Sequence, residues 1–171
     1  MNFYQKDNFF TKEESNFIDE ILFNKLKPLP LKYSKDQCEG DNLPLFFHNL
    51  ICRQGIQRSE YTPFFINIFK RFVEEVSDLK GKNILRSCIN LTLPFVGKPK
   101  LHEDHYQPHY QVIMYLNNST GTTDIYENNL LVKRVEPKKG RVIMFDKHQH
   151  AANSPKGINE LRAVCVTTFN T

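Results

Sequence analysis

The chain changes its hydrophobic period at residue 83. Before it, apolar residues recur every three or four positions. After it, they come in short alternating or continuous blocks broken by turn residues. The first period lays a stripe along a helix and the second covers the face of a strand, so the boundary limits the fold to helices followed by sheet. Beyond it NILRSCINLTL, YQVIMYLN, TTDIY, LLVKRV, GRVIMF and LRAVCVTTF are β-rich, and NNSTG, ENN, EPKKG and NSPKGIN separate them. Helices first and then at least six strands predict an α+β, mainly β protein whose sheets fold over into a sandwich or open barrel.

Two helices precede the strands. In TKEESNFIDEILFNKL, Thr11 and Glu14 have capping-box spacing, and Phe17, Ile18, Ile21, Leu22 and Leu26 form the apolar stripe. In TPFFINIFKRFVEEVSDLKG, Thr62 is the expected N-cap, Pro63 the first helical residue and Gly81 the stop. Its stripe of Phe65, Ile68, Phe69, Phe72 and Val76 is core packing. The proline-broken stretch between the helices reads as loop with one short strand, Phe46 to Cys52. A length of 171 residues suits one domain, with 1–82 as helical support and loop and 83–171 as the β core.

A net charge of +4 is mild, and no Lys/Arg run is interleaved with stacking aromatics, which argues against nucleic acid as a partner. Cys38, Cys52, Cys88 and Cys165 lie far apart with no C-x-x-C spacing. They read as buried thiols in a reducing compartment rather than zinc ligands or disulfides. The start MNFYQKDNFF has no basic stretch followed by an apolar one, and no apolar run reaches membrane-spanning length. The expectation is a cytoplasmic protein.

The decapeptide LHEDHYQPHY, residues 101–110, holds three of the six histidines. His102 and Asp104 are one residue apart, so in an extended segment both point to the same side. They supply two legs of a 2-His-1-carboxylate triad, which holds Fe(II) on one face and leaves the opposite positions open. The third leg must come from a strand folding back, and GRVIMFDKHQHAANSP offers His148 and His150. The small residues after His150 favour it, while parity alone leaves both open. Arg162 begins an apolar strand and shares parity with Val164, Val166 and Thr168. Facing inward, it needs a carboxylate, either from this chain or from a ligand.

In this order H-x-D, YLN, EPKKGRVIMF, H-A and R, over residues 83–169, resemble the 2-oxoglutarate- and Fe(II)-dependent oxygenases, nearest the prolyl-4-hydroxylase-like branch. The resemblance implies a double-stranded β-helix (jelly-roll) core, its larger sheet buttressed by the N-terminal helices. It maps the metal ligands onto His102, Asp104 and His150, and the partner of the 2-oxoglutarate C5-carboxylate onto Arg162, with Tyr115 assisting. It implies Fe(II), 2-oxoglutarate as cosubstrate and O2, with succinate and CO2 as products of hydroxylating a C–H bond. A small-molecule or peptide substrate follows, with a prolyl or other amino-acid residue first. Nucleobase demethylation fits less well, since RAVCVTTFNT lacks a second arginine.

The sequence departs from that pattern in GTTDIY, which has one glycine where relatives often have two, and in the additional His105 and His109. Asn90 and Thr92 precede the motif and are not placed by it. Two other readings stand beside the oxygenase: a non-catalytic jelly-roll binding module, and a cupin-like enzyme using zinc, nickel or manganese. Arg162 discriminates, because neither alternative requires an arginine facing the metal.

Overall fold

A computed structural model describes residues 1–24, 28–53 and 55–171. Along the chain the elements are β1 (Phe3–Lys6), α1 (Lys12–Phe23), β2 (Lys32–Ser34), β3 (Leu45–Ile51), α2 (Thr62–Glu75), β4 (Ile84–Thr92), β5 (His109–Tyr115), β6 (Thr123–Glu127), β7 (Leu130–Val135), β8 (Val142–Asp146), β9 (Gln149–Ala152) and β10 (Arg162–Asn170). One turn of 3-10 helix, Ser77–Leu79, follows α2.

The first helix starts as its sequence requires: Thr11 accepts from the Glu14 amide and the Glu14 carboxylate accepts from the Thr11 amide. The stripe residues Ile18 and Ile21 are buried; Leu26 lies outside the described residues. The second helix differs at both ends. Thr62 is already helical, and its hydroxyl donates to the Leu50 carbonyl at 2.9 Å instead of capping. This helix start is packed against β3, where a buried carbonyl takes precedence over an N-terminal amide. At the other end the helix stops at Glu75. Val76 turns extended, and the 3-10 turn then buries both Val76 and Leu79. Gly81, at φ +75°, closes that later turn rather than the helix.

Seven strands form the larger sheet in the order β1-β8-β5-β10-β4-β3-β2, and three form the smaller one in the order β7-β6-β9. Every pairing is antiparallel. The N-terminal region contributes more than helices, since β1, β2 and β3 all join the larger sheet. Neither β1 nor β2 is visible in the sequence: FYQK and KYS are too short to show alternation.

The strict alternation of the central strands divides the interior into two layers. Val112, Met114 and Leu116 of β5 and its exit, with Ala163, Cys165 and Phe169 of β10, pack against the helix rings Phe65, Phe69 and Phe72. Their neighbours Ile113, Tyr115, Val164 and Val166 face the smaller sheet and pack with Ile125, Val135 and Phe145. Cys88 and Cys165 are buried, and Cys38 and Cys52 are half-buried. No described helix is long and apolar enough to cross a membrane.

Candidate metal centre

The space between the two sheets is where polar residues collect. Arg86, Asn90 and Thr92 of β4, Gln111 of β5 and Arg162 of β10 line it together with apolar Ile113, Val164 and Val166. Register sets their order: Arg162 lies opposite Thr92, Val164 between Asn90 and Tyr115, and Thr168 between Arg86 and Gln111.

At the Arg86–Gln111 end the decapeptide crosses the mouth. His102 and His150 form an isolated antiparallel bridge, His102 N donating to His150 O at 3.1 Å and His150 N to His102 O at 2.9 Å. Directly opposed residues put side chains on one side of the ladder, and the two rings stand 4.4 Å apart. Asp104, two residues on, brings Oδ2 to 3.9 Å from His150 Nε2. One ligand atom from each of His102, Asp104 and His150 lies within 4.8 Å of the others. His148 is elsewhere: its Nδ1 is 2.7 Å from Asp146 Oδ1 and its Nε2 3.5 Å from Glu127 Oε1. Strand β9 begins at Gln149, so the parity that made His148 and His150 equivalent does not extend to His148.

Backbone carbonyls orient both rings. His150 Nδ1 faces His148 O at 3.3 Å and His102 Nδ1 faces Lys100 O at 3.2 Å. A carbonyl only accepts, so each Nδ1 donates, and each Nε2 is the ring atom left to face a metal. Burial pushes His150 down to about 4, with His102 adding to the effect, against the opposing pull of Asp104. Burial works against the Asp104 charge, but His150, Arg86 (3.6 Å away) and His102 outweigh it and hold the carboxyl below its ordinary range. The set is therefore ready to ligate, with a neutral imidazole and an ionised carboxylate.

The opposite end is built differently. Arg162 is 2% exposed, donates from Nε to Gly121 O at 2.8 Å and from Nη2 to Thr123 Oγ1 at 2.7 Å. Among the described residues no Asp or Glu comes within 4.0 Å of it. Burial lowers its pKa, and the facing Tyr115 opposes that effect. Tyr115 is itself fully buried, with its ring 5.9 Å from the guanidinium and its hydroxyl donating to Thr123 Oγ1 at 2.8 Å. The single glycine of GTTDIY has a local reason: a Cβ on Gly121 would lie 2.6 Å from Asn153 O and 3.0 Å from Arg162 Cδ.

One cavity of about 70 Å³ joins the triad to Arg162, and Asn90 and Thr92 line it. Gln37, Arg86, His102 and Asp104 also border a wider outer cleft, which runs past Arg53, His105 and Tyr106 to solvent. His105 bonds Thr168 Oγ1 at 2.8 Å, and burial lowers its pKa, helped by His109 and Arg53. His109 is 2% exposed with Nδ1 against Gln107 O at 3.0 Å. Neither joins the triad. Sequence reasoning missed Gln37, Arg86, Gln111 and Thr123. For Gln111 the signal was present, since it shares parity with Ile113 and Tyr115.

By sequence, no family model and no curated protein matches the chain. Solved structures do. An oxidoreductase of the 2OG-Fe(II) oxygenase family from Burkholderia pseudomallei superposes with TM-score 0.74 at 17% identity, over 98% of this chain and 84% of that one. The fold is that of the 2-oxoglutarate- and Fe(II)-dependent oxygenases. A Pseudomonas putida prolyl-4-hydroxylase gives TM-score 0.70 at 12% identity, over 98% and 91% of the two chains. A prolyl hydroxylase from Trichoplax adhaerens, solved with a peptide fragment of hypoxia inducible factor, gives 0.69 at 14% identity, over 98% and 83%. The jelly-roll expectation is thereby met, with helices α1 and α2 packed on the larger sheet.

Proposed function

We propose that this chain is an Fe(II)- and 2-oxoglutarate-dependent dioxygenase that hydroxylates a C–H bond, with a prolyl or other amino-acid residue as the first substrate class to try. The observation that carries the reading is the pairing of two unlike sites in one cavity. A three-ligand His102–Asp104–His150 set stands at one end, and at the other is a buried arginine with no carboxylate within 4.0 Å among the described residues. Three protein ligands leave coordination positions open, as a chelating cosubstrate and O2 require. Arg162 presents a planar fork suited to a carboxylate. Its partner Thr123 pairs with Ala152, and His150 pairs with Ile125. The anion-binding level and the metal level are thus one pleat repeat apart on β9, roughly 7 Å. That is a span for a short dicarboxylate reaching from metal to guanidinium.

O2 would be the oxidant, with bound iron activating it and 2-oxoglutarate supplying two of the four electrons as it is converted to succinate and CO2. The protein's own contribution is orientation and dryness. The backbone-anchored rings hold their lone pairs inward, Asp104 offers its charge, and Val164, Val166 and Ile113 keep bulk water from the cavity wall. Tyr115 acts through Thr123, whose hydroxyl both side chains share. The Trichoplax neighbour's peptide and the open cleft beside the triad support a peptide substrate. Anaerobic titration with Fe(II) and then 2-oxoglutarate tests the reading. A weak visible charge-transfer band and O2-dependent succinate release are expected. Folded protein that shows neither, even across a panel of peptides, would be the binding module instead. Stoichiometric zinc, nickel or manganese without a 2-oxoglutarate response would favour the cupin-like enzyme.

A further inference from the structure

Arg86 stands where the inner cavity meets the outer cleft and borders both. Its side chain is 22% exposed, and among the described residues the carboxylate within 4.0 Å of it is that of Asp104, at 3.6 Å. Asp104 is also the acidic member of the metal set. Guanidinium and metal therefore share one anion.

Summing formal charges over the loaded site shows what that sharing leaves. Ligating imidazoles are neutral. Fe(II), Asp104, a 2-oxoglutarate dianion and Arg162 then add to zero, whichever way the dianion lies. Arg86 falls outside that balance and leaves a positive charge in excess. In the metal-free protein Asp104 offsets Arg86, so loading is what uncovers it. Nothing else lining the cleft takes the place of Asp104. Glu103 is held by Lys147 at 3.2 Å, and the Glu39 carboxylate comes within 4.0 Å of no cation there. The other cleft cations, Arg53 and Lys100, have no carboxylate within 4.0 Å among the described residues. Lys100 Nζ donates to a backbone carbonyl, Glu39 O, at 3.1 Å. A cleft walled by uncompensated charge of one sign concentrates the opposite sign.

We propose that Arg86 binds a carboxylate of the primary substrate once metal and 2-oxoglutarate are in place, with Arg53 and Lys100 drawing it along the outer cleft. The planar guanidinium suits that group, and the hydrogen bonds are charge-assisted. The proposal rests on the oxygenase reading of the same cavity and narrows its substrate to one with an acidic group near the oxidised carbon. That group is either an Asp or Glu flanking the oxidised residue of a peptide, or the terminal carboxylate of the oxidised residue itself. A neutral substrate leaves the excess charge of Arg86 in place.

The test uses the folded chain loaded with Zn(II) and 2-oxoglutarate, and in parallel without either. N-acetylated tripeptide amides with a randomised central residue are dialysed against each protein, flanked by Asp in one pool and by Asn in the other. N-acetyl amino acids and their amides form a second pair of pools, and mass spectrometry reads the retained fraction. Loaded wild type should retain the acidic pool of at least one pair about tenfold better, the effect of a charge-assisted hydrogen bond. Without the load, Asp104 occupies Arg86, and the preference should shrink to the few-fold effect of exposed charges. Arg86→Gln, loaded to the same occupancy, should lose it likewise. Arg53→Gln combined with Lys100→Gln should weaken it only a few-fold and flatten its salt dependence. A preference among tripeptides points to a flanking acid, and one among N-acetyl amino acids to the terminal carboxylate. Equal retention in both pairs by loaded wild type overturns the proposal. So does a preference that survives undiminished without the load or in Arg86→Gln, since exposed cations or the metal then produce it. The comparison of loaded and unloaded wild type decides even if Arg86→Gln misfolds. Protein that takes up neither Zn(II) nor 2-oxoglutarate sinks the oxygenase reading, whereas loaded protein that does not discriminate sinks only the acidic substrate.

Discussion

The two ends of the cavity are both buried, yet they handle charge in opposite ways. At the metal end Asp104 has Arg86 at 3.6 Å and the two imidazoles around it, so the cluster holds its charge before any ion arrives. At the other end Arg162 has a carbonyl, a hydroxyl and an aromatic face but, among the described residues, no anion. A buried cation without a charged partner is costly, so under the proposed function that end gains more from an anionic ligand than the proposed metal end does. The comparison predicts that damage at one end leaves the other nearly intact.

The largest effect is expected at the metal end. Even outer partners of a metal ligand affect affinity roughly 10–100-fold, so Asp104→Ala, removing a ligand, should weaken Fe(II) or Mn(II) binding by more than about 100-fold. His148→Ala should leave it within about threefold, inside the lower bound of that range. Equilibrium dialysis measures both, and a reversal between His148→Ala and His150→Ala would break the assignment.

Next comes Arg162→Ala, which should reduce 2-oxoglutarate affinity by roughly 2–5 kcal/mol, the cost of truncating a buried charge pair. Metal affinity should hardly move. Arg162→Lys keeps the charge without the fork and should fall between wild type and alanine. Thermal stability lost with unchanged 2-oxoglutarate binding would make Arg162 a structural residue and erase the contrast between the ends.

A pH effect of similar or smaller size belongs to the metal end alone. His150 stays neutral in the folded protein down to about 4, against an ordinary value of 6.5. Between those values the unfolded chain binds a proton that the folded chain refuses. The stabilisation is therefore complete above pH 6.5 and lost as the pH falls towards 4, by up to about 3 kcal/mol at about 1.4 kcal/mol per unit. The depressed Asp104 carboxyl acts lower still, below its ordinary 3.8. Denaturant melts of metal-free protein across this window should show the slope, and His150→Gln should flatten it. The smallest change is Tyr115→Phe, which removes one buried hydroxyl bond to Thr123 and should cost about 0.5–1.5 kcal/mol of stability. A larger loss confined to 2-oxoglutarate binding would show that Tyr115 reaches the cosubstrate itself.

Some of this was legible in the residues alone. The change of period at residue 83 announced six of the seven strands after it, because alternation survives in sequence wherever one strand face is apolar. The Thr11–Glu14 capping box was legible too, being a contact between neighbours three residues apart. H-x-D placed two ligand candidates on one side because side-chain direction in an extended segment is local. Strand β9 was not announced, since QHAA is too short and small to carry a pattern. For the same reason the third ligand stayed ambiguous between His148 and His150 until the bridge to His102 aligned one of them with Asp104. Thr62 and Gly81 look like a cap and a stop, but the Leu50 carbonyl and the burial of Leu79 assigned them other work. The resemblance put Arg162 opposite a cosubstrate, but the sequence left open an acid of its own chain as partner. Only the folded sheets show that Thr123, Gly121 and Tyr115 surround it without one. Which side a residue faces is encoded within a few positions, whereas what it meets there depends on strands up to dozens of residues away, and long-range register alone decides that.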